Sequence, residues 1–313
     1  MATFKHIPSF LLAILLFVGS INATPLLQKR AGRTSPPAGC LTVRGSGTLS
    51  GEYSTVGAAL TALGSSTVVA CIFIYSGTYN EQVTISYAGN LTVYGYTTNI
   101  GLDASSTAKI TSANFKAYNV NFANTYGAGV QAVAVTANGD QQGYYGCSFT
   151  GYQDTLYAKA GKQYYSNCYI EGAVDYIFGN AAAWFGECTI ASNGGGAITA
   201  NSMTLATDSA WYIIDSSTIT QATGYSLTGK VYLGRPWRAL ARVIFQNSVL
   251  TDVVNAAGWT TLAADATPIF MEYANTGAGS STSARIYETA ATGTVSKTTL
   301  WGSNWASWID SSY

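Results

Sequence analysis

A short sequence pattern recurs along the chain every 20 to 31 residues, and this recurrence limits the possible folds more than any other feature. Each copy has an aromatic or aliphatic residue, two small or polar residues, Cys or Ser, one further residue and an apolar residue. The copies end at Phe149, Ile170, Ile190, Ile219 and Leu250, with a looser copy ending at Phe122. Periods of this size are typical of solenoids, in which each repeat buries its apolar side against its neighbours.

The composition of the repeats favours strands over helices. They are rich in Thr, Val, Ile and Tyr, are bounded by Gly and Asn, and lack a long helical periodicity. A parallel β-helix is therefore the favoured fold, and a β-sandwich with irregular loops is the alternative. One helix is predicted from about Tyr53 to Leu63, because Val56, Leu60 and Leu63 share one face. We expect this helix to cap the N-terminal end of the solenoid.

The beginning of the chain has the layout of a secretory signal peptide. A lysine precedes an apolar run at residues 10–18, and small residues follow up to Ala23. The run is too short for a lasting membrane anchor. The predicted organisation is a signal peptide at residues 1–23, a possible pro-segment or linker with a dibasic site at 24–39, and a single β-helix catalytic domain at 40–313. The protein is thus predicted to be secreted and extracellular.

Low charge and the loss of histidine narrow the possible functions. Only 10% of the 313 residues are charged and the formal net charge is zero, so no attraction to nucleic acid or to a membrane surface is expected. His6 is the only histidine, and signal cleavage removes it. A Ser/His/Asp triad, a Cys/His pair and a histidine-ligated zinc site are therefore excluded.

Five cysteines in an oxidising compartment permit at most two disulfides within the chain, and the sequence leaves their pairing open. Cys147, Cys168 and Cys188 fall within the repeats, where they are expected to be small core residues or part of a disulfide. A metal site would need more converging ligands. Asn90 begins the sequon Asn-Leu-Thr, which indicates a glycosylation site on a surface loop.

Two aspartates lie 21 residues apart in otherwise apolar or aromatic runs, at Asp154 and Asp175. If the repeats stack, the two occupy neighbouring coils about 4.8 Å apart. The segment of Arg235 then lies two coils beyond Asp175, about 10 Å along the axis, and Gln131 precedes Gln153 by one coil. The predicted surface patch comprises Gln131, Gln153, Asp154, Asp175 and Arg235, with Trp237 at its edge.

Such a patch can supply acid and nucleophile without histidine. Of two close carboxylates, one is pushed toward its protonated form while an adjacent arginine keeps the other charged. The glutamine amides can donate to a developing oxyanion. Structural interpretations remain open: Asp154 can cap a turn, Asp175 and Arg235 can form a structural ion pair, the glutamines can belong to a side-chain ladder, and Trp237 can be a core residue.

Several motifs together resemble those of the pectin methylesterases, of the fungal secreted type. The resemblance extends from about Thr42 to Tyr313. The matching segments are Ser-Gly-Thr-Tyr-Asn-Glu at 76–81, Gln-Ala-Val-Ala at 131–134, Gly-Tyr-Gln-Asp-Thr-Leu-Tyr at 151–157, Gly-Ala-Val-Asp-Tyr-Ile-Phe-Gly at 172–179 and Leu-Gly-Arg-Pro-Trp at 233–237.

This resemblance implies a right-handed parallel β-helix that hydrolyses galacturonate methyl esters of pectin to free carboxylates and methanol. It implies no metal and no other cofactor, and we expect a monomer. By the match of motifs, Asp175 is the nucleophile and Asp154 the general acid and then base. The remaining implied roles are oxyanion binding by Gln131 and Gln153, orientation of Asp175 by Arg235, and sugar contacts by Tyr157, Phe178 and Trp237.

Two rival functions remain at this point. A calcium-dependent pectate lyase would use the acidic patch for calcium, but this leaves the paired glutamines unexplained. A non-catalytic solenoid would bind wall polysaccharide through its aromatic face without turnover. The three functions give different observations. An esterase releases methanol, a lyase forms an unsaturated product, and a non-catalytic solenoid shows saturable binding without turnover.

Overall fold

A computed structural model describes residues 35–75, 77–79, 81–95, 100–102, 108–129 and 131–313. The predicted signal peptide and the dibasic site at 29–30 lie outside the described residues. Within them the chain forms a right-handed parallel β-helix with a face of 10, a face of 8 and a face of 7 strands. The predicted solenoid is confirmed, and the β-sandwich alternative is wrong because every strand pairing is parallel.

Each coil passes through the three sheets in the same order, and neighbouring coils pair strand by strand. The ten-stranded sheet contains β1 (Leu41–Val43), β2 (Ala70–Ile74), β5 (Leu91–Gly95), β8 (Lys116–Tyr118), β11 (Gln142–Tyr145), β14 (Lys162–Ser166), β17 (Ala182–Gly186), β20 (Trp211–Asp215), β23 (Arg242–Gln246) and β25 (Ile269–Tyr273). The eight-stranded sheet contains β3 (Thr78–Tyr79), β6 (Ile100–Leu102), β9 (Val120–Ala123), β12 (Ser148–Thr150), β15 (Tyr169–Gly172), β18 (Thr189–Ser192), β21 (Thr218–Gln221) and β24 (Val249–Leu250). The seven-stranded sheet contains β4 (Val83–Ile85), β7 (Ala108–Ile110), β10 (Val135–Asn138), β13 (Leu156–Ala160), β16 (Ile177–Gly179), β19 (Gly196–Asn201) and β22 (Val231–Gly234).

The recurring sequence pattern spans the corner between the ten-stranded and the eight-stranded sheet. The first residue of each corner has a positive φ, which turns the chain within two residues and which asparagine tolerates better than most side chains. These corner residues are Asn119, Gly146, Asn167, Glu187, Ser216 and Asn247. The Cys or Ser of the pattern follows directly and points into the solenoid, where it donates to backbone carbonyls of its own and the preceding coil.

The interior is a continuous column of stacked apolar side chains. Tyr165 lies between Tyr144 and Phe185, with ring centroids 4.9 Å and 4.6 Å apart. Cys147, Cys168 and Cys188 are buried free thiols, so the prediction that they are core residues is confirmed. Burial of so much apolar surface is the main stabilising contribution to the fold. The disulfide that does form joins Cys40 to Cys71, and it ties the N-terminal strand to the second coil.

One short helix closes the N-terminal end, as predicted, although it begins later than the pattern indicated. It spans Val56–Leu63 (α1), and Thr55 caps it by accepting from the Ala58 N–H. Tyr53, the predicted start, instead forms a bridge with Val43. Glu81 accepts the N–H groups of Val56 and Gly57 at 2.7 Å and 2.8 Å, which satisfies donors that a helix start leaves free.

The C-terminal segment covers the outer face of the ten-stranded sheet, a feature that the sequence analysis did not predict. It contains α2 (Lys297–Trp301) and a 3₁₀ helix (Ser303–Ser307). Trp301 packs against the sheet and donates its indole N–H to the Ala182 carbonyl at 2.9 Å. Among the described residues, none of the helices combines the length and the apolar character needed to span a bilayer.

Candidate active site

The two aspartates occupy equivalent turns at the start of neighbouring strands. Asp154 precedes β13 and Asp175 precedes β16, with φ values of 62° and 50°. The sequence placed them inside strand-like runs, and the strands in fact begin two residues later, since a positive φ interrupts the extended backbone. Non-glycine residues with positive φ are uncommon, and two such turns in adjacent coils set both carboxylates at the same edge of the seven-stranded sheet.

The residue after each aspartate points inward and anchors the turn. Thr155 is buried and donates its hydroxyl to the Glu171 carbonyl at 3.0 Å. Tyr176 is buried as well, and its hydroxyl lies 3.0 Å from that of Ser192. The strand pairing of Leu156 with Ile177 keeps both turns in register. Each carboxylate is therefore fixed relative to the other by strand pairing and by buried contacts inside the solenoid.

Arg235 reaches back from two coils away to the second aspartate. Its Nε and Nη2 donate to the two carboxylate oxygens of Asp175, each at 2.8 Å. Arg235 follows β22, which is two strands from β16 in the seven-stranded sheet, as the coil alignment predicted. This two-point geometry fixes the carboxylate plane. The hydrogen bonds to the Asp175 carboxylate stabilise the charged guanidinium, and they raise the pKa of Arg235 above its usual value.

Asp154, by contrast, forms no ion pair with a residue that the structure describes. Its side chain is buried, and burial raises its pKa to about 6, with the nearby charge of Asp175 adding to the rise. The more distant Arg235 and a hydrogen bond from Gln131 act in the opposite direction. The pair therefore consists of an ion-paired carboxylate and a carboxyl group that gains and loses a proton near pH 6. Such a pair is suited to nucleophilic attack and to acid–base catalysis.

The two glutamines flank the first aspartate. Gln131 is exposed and lies one coil before Asp154, because the neighbouring Ala132 N–H donates to the Gln153 carbonyl at 3.0 Å. Gln153 is half-buried and pairs with Val174 through a bridge directly before the aspartate turns. All five residues of the predicted patch therefore lie at the same edge of the seven-stranded sheet.

Three aromatic side chains form a platform next to the carboxylates. Tyr157 and Phe178 occupy paired positions in β13 and β16, and their rings stack with centroids 4.3 Å apart. Trp237 is tilted by 60° against both, at 6.4 Å from Tyr157 and 5.8 Å from Phe178. Gly179 ends β16 with a φ of 122°, and any Cβ there would collide with the Ala158 carbonyl. Tyr157, Phe178 and Trp237 are hereafter called the aromatic platform.

The sequence analysis missed one cation beside the platform. Lys159 lies on β13 with its Nζ 5.6 Å from the ring centroid of Tyr157. It lies two residues after Tyr157, and alternate residues of a strand share a face, but this spacing alone does not mark a lysine as part of a site. In the part of the chain that the structure describes, no group of three or more His, Cys, Asp or Glu residues is arranged to hold a metal ion.

The chain is similar to known proteins over nearly its whole length. The family model described as Pectinesterase matches residues 42–301. The chain is 55% identical over 330 aligned positions to a probable pectinesterase A of Aspergillus niger, covering 98% of this chain and 100% of the relative. It is also 55% identical to pectinesterase A of Emericella nidulans, covering 96% of this chain and 98% of the relative.

A solved structure is similar over most of the chain. The deglycosylated pectin methylesterase from Aspergillus niger superposes with a TM-score of 0.86 at 55% identity, over 90% of this chain and 100% of the solved one. The parallel coils and these matches indicate the same group of enzymes. The chain belongs to the pectinesterase family of carbohydrate esterases and is of the fungal type.

Proposed function

We propose that the chain is a secreted enzyme that hydrolyses galacturonate methyl esters of pectin, with Asp175 as nucleophile and Asp154 as general acid and base. The observation that carries these roles is the different surroundings of the two carboxylates. Asp175 is held at both oxygens by Arg235, whereas Asp154 has a pKa of about 6. One group is thus charged and oriented for attack, and the other can deliver and accept a proton near neutral pH.

In the first half of the reaction, a carboxylate oxygen of Asp175 attacks the ester carbonyl carbon. The carbonyl oxygen becomes negatively charged, and the side-chain amides of Gln131 and Gln153 donate hydrogen bonds to it. The bond from carbon to the methoxy oxygen then breaks, and Asp154 gives its proton to the departing oxygen. Methanol leaves, and an anhydride joins the sugar to Asp175.

In the second half, Asp154 is ionised and takes a proton from a water molecule. The hydroxide that forms attacks the anhydride carbonyl of the sugar, and the bond to Asp175 breaks. The products are a galacturonic acid unit and a free Asp175 carboxylate, and Asp154 again carries its proton. Arg235 keeps the plane of Asp175 fixed through both halves, and the aromatic platform holds the sugar rings.

Residues 1–23 are the signal peptide, 24–39 a pro-segment or linker, and 40–313 one catalytic β-helix that acts as a monomer. Asn90 is exposed directly before β5, which suits the attachment of a glycan.

The test is methanol release from methylated pectin by the purified secreted protein, compared with Asp154→Asn and Asp175→Asn. We expect turnover by the wild-type protein and almost none by either variant, while both variants still bind pectin. Near-normal turnover by Asp175→Asn would overturn the assignment of the nucleophile. An unsaturated, ultraviolet-absorbing product that disappears with chelator would instead indicate a lyase, and binding without any turnover would indicate a non-catalytic solenoid.

A further inference from the structure

Thr199 is a buried polar residue that the proposed reaction does not use, and it lies between the two partners of the ion pair at the site. It belongs to β19, which separates the strand after Asp175 from the strand before Arg235. It continues an inward row of the sheet whose preceding members, Leu156 and Ile177, are fully buried core residues. A hydroxyl in this row is unexpected, because valine has nearly the same shape and loses no hydrogen bonds to water when it is buried.

The hydrogen bonds of Thr199 connect it to the segment that carries Arg235. Its hydroxyl donates to the buried Leu233 carbonyl in the next coil at 2.9 Å, and the Arg235 N–H donates to the Thr199 carbonyl at 2.9 Å. Gly234 allows this close approach, since a Cβ there would collide with the Thr199 hydroxyl. In the coil beyond, Trp259 forms a bridge with Gly234. Residues 233–235 are therefore held by contacts with the coils on both sides.

The position of this segment matters because Arg235 acts across a whole coil. Its guanidinium reaches Asp175 from two strands away, about 10 Å at the usual strand spacing, and bonds both carboxylate oxygens. A two-point contact of this kind tolerates little displacement. Loss of the Thr199 hydroxyl removes a donor from the Leu233 carbonyl inside the solenoid, where water does not replace it. The segment is then expected to shift, and the guanidinium shifts with it.

We propose that Thr199 is a positioning residue, whose hydroxyl fixes residues 233–235 so that Arg235 holds both oxygens of Asp175. This inference rests on the proposed function, because in that function Arg235 orients the nucleophile. Thr199 lies inside the solenoid and acts only through Arg235. Its hydroxyl should therefore affect kcat and leave KM unchanged, since the aromatic platform that holds the sugar rings stays in place.

The kinetic test compares Thr199→Val, which removes the hydroxyl and keeps the shape, with Thr199→Ser, which keeps the hydroxyl. Thr111→Val is the matched control, because the Thr111 hydroxyl also donates to a carbonyl, that of Ile85 at 3.2 Å, but follows β7. With methylated pectin, we expect kcat of Thr199→Val to fall about tenfold with KM unchanged. Both other variants should stay within about twofold of wild type. No fall in Thr199→Val, or an equal fall in either other variant, would overturn the inference.

A measurement on the ion pair itself separates this inference from the proposed function. In protein labelled with ¹⁵N-arginine, the Nε–H signal of Arg235 is identified by its absence from Arg235→Lys. This proton is bonded to Asp175 in the wild type, so it should exchange slowly with water. We expect about tenfold faster exchange in Thr199→Val and wild-type exchange in Thr199→Ser and Thr111→Val.

Unchanged exchange in Thr199→Val rejects the inference even where the wild-type protein releases methanol normally. If the wild-type protein releases no methanol from pectin, the proposed function fails. The exchange comparison requires no turnover, and it still decides whether the Thr199 hydroxyl positions Arg235.

Discussion

The outer faces of two sheets of this solenoid carry similar aromatic residues and yet serve different purposes. On the ten-stranded sheet, Trp184 and Trp211 are buried beneath the C-terminal segment. On the seven-stranded sheet, Tyr157 and Trp237 remain partly exposed beside the aspartate pair. The coils themselves are alike, so function does not arise from the fold alone. In the proposed function, it arises where one face is left uncovered and two aspartates occupy turns with positive φ.

The polar contacts of the two outer faces also differ. The outer face of the ten-stranded sheet, hereafter the covered face, forms hydrogen bonds with the C-terminal segment. The Asp310 N–H donates to the Tyr145 hydroxyl at 2.7 Å, and the Tyr118 hydroxyl donates to the Asp310 carboxylate at 2.9 Å. On the outer face of the seven-stranded sheet, hereafter the open face, Asp154 has a raised pKa, and Asp175 forms an ion pair with Arg235. The covered face should therefore govern stability, and the open face should govern activity. The following predictions test this division.

The largest effect is expected at the proposed nucleophile. Asp175→Asn preserves the shape of the side chain and removes the attacking charge, so kcat for methanol release should fall by at least about a thousandfold. Thermal unfolding of the variant should remain close to that of the wild type. A variant that lost activity only because it unfolded would contradict the division between the two faces.

The counterpart on the covered face is Trp301→Ala. Removing the indole leaves a cavity against Trp184 and breaks the hydrogen bond to the Ala182 carbonyl, so the free energy of unfolding should fall by about 3 kcal/mol. Denaturant titration measures this loss. The rate of methanol release per folded molecule should stay within about twofold of wild type, because this residue does not contact the aspartates. A large fall in kcat at full folding would show that the covered face also serves catalysis.

A smaller effect is expected from Arg235→Lys on the open face. Lysine keeps the charge but loses the planar fork that binds both oxygens of Asp175, and kcat should fall by about thirtyfold, mostly without a change in KM. Arg238→Lys is the matched control, since this exposed arginine follows Trp237 and forms no ion pair with a described residue. Equal losses in the two variants would argue against orientation of Asp175 by Arg235.

The smallest predicted effect is a gain in stability. The folded state raises the pKa of Asp154 from 3.8 to about 6, so ionisation of this group costs stability as the pH rises through that interval. Asp154→Asn removes the cost, and its free energy of unfolding at pH 7 should exceed that of the wild type by about 1 kcal/mol. The full cost would be roughly 3 kcal/mol, but solvent at the open face screens it. At pH 3 the wild-type group is protonated in both states, and the difference should vanish.

Much of the open face could be predicted from the sequence, because the length of the sequence repeats determines which residues lie side by side in neighbouring coils. The repeat lengths aligned Asp154 with Asp175 and placed Arg235 two coils beyond, and the strand pairings confirm this alignment. The positive φ of the aspartates could not be predicted, because a strand-like composition does not reveal where a coil turns. Lys159 escaped notice for the opposite reason: its alternation with Tyr157 was visible, but a single lysine on a strand has no distinctive meaning until its neighbours across the sheet are known.

The covered face was missed because its partner is distant in sequence. Trp301, Trp305 and Trp308 recur at intervals of four and three residues, which indicates one apolar face of a helical segment. That pattern does not say which sheet the segment covers. The pairing of Cys40 with Cys71 was likewise open, since five cysteines permit several arrangements and only the stacking of the first coils brings these two together.

The central claim is that Asp154 has a raised pKa beside an Asp175 that is ion-paired with Arg235, and a ¹³C NMR titration of aspartate-labelled protein tests it most directly. The wild-type spectrum should contain a carboxyl resonance that titrates near pH 6 and is absent from Asp154→Asn. In Asp175→Asn the same resonance should titrate at lower pH, because the neighbouring negative charge has been removed. The claim is contradicted if no aspartate titrates near pH 6, or if the titration near pH 6 persists when Asp154 is replaced.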